Sequence, residues 1–180
     1  IESAIKIASE IKDKLLAART PGVDRSKIQS EISELQESLK AVVDGASFNG
    51  QNWLKTDSGE ESARTIVSSF SRGSDGKISI GTISVDLDST RLIDSTDSTG
   101  ASTGGILDGE IALATGSDTV TVLDLDISEI EDTADDLADL EAMISGVDSA
   151  IEKMTDAAST LGAVKTRIDI QKDFADSLMS

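Results

Sequence analysis

The sequence predicts a mainly α protein with a β insertion: an elongated, coiled-coil-like helical bundle that carries β hairpins or a small outer β domain. Three observations predict it. Apolar residues recur in heptads at both ends of the 180-residue chain. Between those ends the apolar period drops to two, the spacing of strands. The composition is 38% hydrophobic but only 2% aromatic, so any core is built from Leu, Ile, Val and Ala, which suits helix packing better than an enzyme fold. The expected divisions are residues 1–50 for the first helical part, 51–126 for the β-rich middle and 127–180 for a long closing helix.

The first helix follows from Ile1, Ala4, Ala8, Ile11, Leu15 and Ala18, which alternate steps of three and four. It is expected to stop near Thr20-Pro21-Gly22, where proline disfavours helical geometry in its predecessor and glycine permits a turn. Nothing precedes Ile1 to cap the pattern, so a longer helix is expected, and Ser180 likewise follows no stop signal. A second helix starts after Asp24 or Ser26; both can cap, and Ser26 with Gln29 has the spacing of a capping box. Ile28, Ile32, Leu35, Leu39 and Val42 continue it to Gly45, which makes an antiparallel hairpin with the first helix.

Beyond Phe48-Asn49-Gly50, Ala63 to Phe70 reads as a strand. Ile78, Ile80, Ile83, Val85 and Leu87 read as a second, with a slip that a bulge at Gly81 explains. Ser74-Asp75-Gly76 joins the two as a hairpin. Trp53 is expected to be a packing anchor. Asp94 to Gly105 reads as an exposed loop, and Val120, Val122, Leu123, Leu125 and Ile127 as a further strand. The final segment has the strongest pattern. Ile130, Leu137, Ile144, Ile151 and Ala158 recur every seven residues, as do Leu140, Val147, Met154, Leu161, Ile168 and Ala175, three positions away. A continuous helix from Ile127 would be about 75–80 Å long. Gly146 and Gly162 inside it are expected to mark close approach of another helix. Leu140, Ile144, Val147, Ile151, Met154 and Leu161 are expected to bury against Ile11, Leu15, Ile32, Leu35 and Leu39, closing a three-helix bundle.

Composition removes several function classes. The chain has no Cys and no His, so disulfides, Cys-ligated zinc, thiol nucleophiles and Ser-His-Asp catalysis are excluded. A net charge of −18 argues against nucleic acid or an anionic membrane as partner. No apolar run approaches the length that spans a bilayer. The charge is uneven: Leu92 to Glu152 carry 16 acidic and no basic side chains, and this block reads as a solvated acidic surface. Within it, Asp94, Asp97 and Gly100 fail the spacing of a calcium loop, and no Glu closes one. No cofactor, metal or catalytic residue is expected. A carboxylate-pair hydrolase is the reading from another class; carboxylates abound, but the scarcity of aromatics argues against a sugar-binding cleft.

Three short motifs carry a resemblance to a known family. Ile28-Gln29-Ser30-Glu31-Ile32 resembles the "IQxEI" helix of bacterial flagellins. Phe48-Asn49-Gly50 resembles their "FNG" turn, and Leu161-Gly162-Ala163-Val164-Lys165-Thr166-Arg167 their "LGAxxxR" stretch. Order and spacing match, and the motifs span both helical regions; residues 51–126 correspond to the family's variable middle. The resemblance implies the central portion of a flagellin, a D1-like rod without the terminal segments of the inner tube. It implies an extracellular structural subunit of the flagellar filament, with other flagellin subunits as partners. The export apparatus and its chaperone are implied too, through terminal segments outside these residues. A hook–filament junction protein or other flagellin-like axial protein is the alternative.

One departure from the family bears on recognition by animals. Many flagellins carry an "LQRVREL"-like stretch bound by the Toll-like receptor that senses them. Its counterpart here is Ile5-Lys6-Ile7-Ala8-Ser9-Glu10-Ile11, in which Ile7 and Ser9 replace both arginines while Ile5, Glu10 and Ile11 keep their character. Neither replacement offers the planar, multidentate hydrogen bonding of arginine. The resemblance therefore implies that the receptor is evaded, as with some alphaproteobacterial flagellins.

Overall fold

The computed structural model describes residues 1–45, 55–56, 63–72, 78–86, 90–94 and 105–179. Phe48-Asn49-Gly50, Trp53, the 74–76 turn and most of the expected loop after Asp94 lie outside the described residues.

Helix α1 spans Glu2–Ala17 and α2 spans Arg25–Gly45. Ala4, Ala8, Ile11, Leu15 and Ala18 are completely enclosed, the stripe that the heptad steps place on one face. The helix ends as expected: Ala18 N–H still donates to Lys14 O at 3.0 Å, and Gly22 then reverses the chain at φ +77. Asp24 caps α2, its Oδ1 accepting from Lys27 N–H at 3.2 Å. The Ser26–Gln29 capping box does not form. Ser26 accepts Ser30 Oγ at its carbonyl oxygen instead, and the Gln29 amide is engaged elsewhere.

The middle holds three two-stranded sheets among the described residues. β1 (Lys55–Thr56) pairs in parallel with β4 (Ile93–Asp94). β2 (Ala63–Arg72) and β3 (Ile78–Asp86) form the expected antiparallel hairpin. Its bulge is on the other strand from the one expected. Val67 faces Thr82 and Ser69 faces Gly81, so Ser68 is the extra residue and Gly81 sits opposite it. β5 (Ile111–Ala112) and β6 (Thr119–Val120) form a short hairpin around Gly116, whose φ is +72.

The strand expected through Val122, Leu123, Leu125 and Ile127 is not one. Val122–Asp124 is a 3-10 turn, and the residues after it run extended against α2. The run stops at Asp126, whose Oδ1 accepts both Ser128 N–H at 2.9 Å and Ser128 Oγ–H at 2.6 Å. Asp94 is part of β4 rather than of a loop, and Gly105 is buried.

Helix α3 spans Ala134–Met179, 46 residues and about 69 Å at 1.5 Å per residue. It starts seven residues later than expected. Thr133 accepts Asp136 N–H at 3.2 Å, and the Asp136 carboxylate reaches back to Glu131 N–H at 2.9 Å, a reciprocal cap that holds 131–133 out of the helix. Leu140, Val147 and Met154 are enclosed, as expected. Their seam partners are Met143, Ala150, Ala157 and Val164, one residue earlier than the predicted series, although Ile144 is also buried. Ile151, Leu137 and Ala158 are half-buried.

The shift has a packing reason. α1 lies against both α2 and α3, while α2 meets the 122–124 turn rather than forming a broad face with α3. The expected three-helix closure is thus replaced by the segment from Leu107 to Ile127, in which Leu107, Val122, Leu125 and Ile127 are enclosed. Ion pairs Lys12–Asp148 at 2.6 Å and Arg19–Glu141 at 2.5 Å fix α1 and α3 as antiparallel neighbours. By that register Ala4 and Ala8 stand roughly level with Ala157 and Ala150, where small side chains let two helices come close. On another side of α3 the Ile111 side chain sits on Gly146, where a Cβ would come within 2.6 Å of it. Gly146 therefore marks close approach by a strand residue, not by a helix. Gly162 marks none: a Cβ there would meet nothing within 4 Å.

Candidate functional site

The residues that join the two helical regions are polar, and they meet where the 121–132 segment crosses α2. Gln29 is the centre of this junction. Its Nε2 donates to Leu125 O at 3.0 Å, and its Oε1 accepts Ile127 N–H at 2.9 Å. One side-chain amide thus satisfies the C=O and N–H of residues two apart on an extended segment, as the peptide group of a neighbouring strand would. Two turns further along α2, Gln36 Nε2 donates to Val122 O at 3.1 Å and to Leu125 O at 3.3 Å. The buried backbone of this segment therefore has partners without belonging to a sheet.

Arg25, 7% exposed, closes the lower end of the junction. Its Nε donates to Ala18 O at 2.9 Å, Nη1 to Ile130 O at 3.3 Å, and Nη2 to Asp132 Oδ1 at 2.8 Å. Asp132 Oδ2 accepts Gly22 N–H at 3.1 Å. One guanidinium so ties the end of α1, the start of α2 and the approach to α3. The Arg25 hydrogen bond, then that of Gly22 N–H, holds the Asp132 carboxyl below its ordinary value. Hydrogen bonds from the Ser128 side chain and backbone lower Asp126 in the same way.

The motif residues divide between core and surface. Ile28 and Ile32 are buried and Gln29 forms the junction just described. Glu31 is exposed and pairs with Lys14 at 3.0 Å. In the second motif Leu161 is half-buried, whereas Gly162, Ala163 and Arg167 all face outward. The counterpart of the receptor site is also mixed. Ile5, Ile7 and Ser9 are half-buried and Glu10 is exposed, but Ile11 is wholly enclosed and serves packing. Ser9 Oγ–H donates to Ile5 O at 2.9 Å. Sequence reasoning missed Arg25, Gln36 and Asp132. Gln36 carried a signal, a polar residue at a core step between Ile32 and Leu39; Arg25 and Asp132, remote in sequence, carried none. Among the described residues no helix is long and apolar enough to cross a membrane, and no group of three or more acidic side chains is arranged to hold a metal ion.

Comparison with known proteins adds an independent line. The family described as the bacterial flagellin N-terminal helical region matches residues 1–58. Flagellin C of Rhizobium meliloti (strain 1021) is 36% identical over 189 residues, covering 99% of this chain and 59% of that protein. Flagellin A of the same strain is 30% identical over 263 residues, covering 99% of this chain and 66% of that protein. Flagellin D of that strain is 40% identical over 93 residues, which cover 52% of this chain and 23% of its own. The chain thus spans less than two thirds of the length of these relatives.

Proposed function

The chain belongs to the bacterial flagellin family, and from that premise we propose that it is the rod of a structural subunit of the flagellar filament, working outside the cell in swimming motility. The observation that carries this reading is the junction at Gln29 and Arg25. It locks the helical regions at the two ends of the chain into one elongated body and leaves the β-rich middle between them. A rod of this kind resists bending and torsion without catalytic groups. Gly162, Ala163 and Arg167, which face outward among the described residues, are available to neighbouring subunits. The partners are other flagellin subunits, with the export apparatus and chaperone acting through further segments of such proteins. Antibodies raised against the chain should label filaments along their length, and deleting its gene should shorten or remove them. Normal filaments that never take the label would exclude the reading.

Receptor evasion is proposed on the same footing. Ile7 and Ser9 stand where the family's receptor-binding arginines would be, and both are open enough to carry a longer side chain toward solvent. Loss of one hot-spot arginine commonly costs about 2 kcal/mol or more, roughly 30-fold in affinity. The chain should be nearly silent in a receptor-reporter assay, and an Ile7→Arg, Ser9→Arg variant should gain signal. Strong signalling by the unmodified chain would count against evasion.

A further inference from the structure

We draw no further inference here: the strongest candidate, the cavity of about 170 Å³ between the 105–111 segment and α3 that Gly105, Glu110, Ile111, Gly146, Ser149 and Lys153 help to line, carries nothing, because nothing among the described residues shows what fills or covers it.

Discussion

Arg25 and Gln29 differ in kind from the apolar residues around them, because each is a single side chain with several backbone partners. Replacing Gln29 by Leu keeps volume but leaves Ile127 N–H without its partner and Leu125 O with only the longer bond from Gln36. A buried polar group left unsatisfied costs about 1–3 kcal/mol, so Gln29→Leu is expected to destabilise by an amount in that range despite the added apolar surface. Gln29→Glu should fall between wild type and Gln29→Leu near neutral pH, since a carboxylate still accepts from Ile127 N–H but cannot donate to Leu125 O. Urea denaturation of the three chains orders them, and equal midpoints would show that the amide is dispensable. The pH dependence of Asp132 has a definite sign. Its carboxyl is lowered from the ordinary 3.8, so the unfolded chain takes up that proton first as pH falls. The stabilisation is fully present above the unfolded value and is lost as pH drops through the lower folded value. An Asp132→Asn chain should therefore differ from wild type above about pH 4 and converge with it in stronger acid. A constant gap between the two stability curves down to pH 2 would mean that the ionised carboxylate contributes nothing.

The elements show where periodicity suffices and where it fails. Heptad steps located α1, α2 and the bulk of α3, because a buried stripe leaves a mark every three or four residues. They misplaced one half of the α3 seam. A series containing Ile144 and Ile151 looks more core-like than one containing Ala150 and Ala157, yet small residues take the seam where α1 and α3 come close. They also overran the start of α3, where the Thr133 and Asp136 side chains override an apolar pattern that continues back to Ile130. The segment that follows the 122–124 turn was illegible as a strand substitute because its partners are side chains on α2, remote in sequence. The division of Ile28, Gln29, Glu31, Leu161 and Gly162 between core and surface was not legible in the sequence. Two substitutions test the seam. Leu140→Ala should cost about 2–5 kcal/mol, and Ile151→Ala, being half-buried, roughly half as much or less. Equal losses would restore the predicted seam. The two helical glycines should respond with opposite signs. Gly→Ala gains about 1 kcal/mol of helix propensity. At Gly162 nothing opposes that gain, so the isolated chain should become more stable. At Gly146 the new Cβ meets three atoms of Ile111 at 2.6–2.7 Å, and overpacking of about 1–3 kcal/mol outweighs the gain.

The whole molecule carries a conflict between its fold and its charge. Thirty-four acidic side chains face sixteen basic ones, and the compact state holds them closer together than the unfolded chain does. Against this stand four ion pairs among the described residues, three of them with both partners substantially exposed. Exposed pairs contribute about 0–1 kcal/mol each and weaken as salt screens them. Salt also screens the far more numerous repulsions, and at physiological ionic strength the screening length is about 8 Å, shorter than most separations between carboxylates on a rod this long. Repulsion should outweigh attraction in this sum. The Arg25–Asp132 pair is affected least, because the guanidinium is buried and its hydrogen bonds are short. The isolated chain is accordingly expected to melt at a higher temperature in about 150 mM salt than in about 10 mM salt, and to remain mainly monomeric at micromolar concentration in both. Thermal unfolding followed by circular dichroism, with light scattering on the same samples, checks the two expectations together. A melting temperature that falls as salt is added would show that the exposed ion pairs, and not the net charge, dominate the electrostatics of the rod.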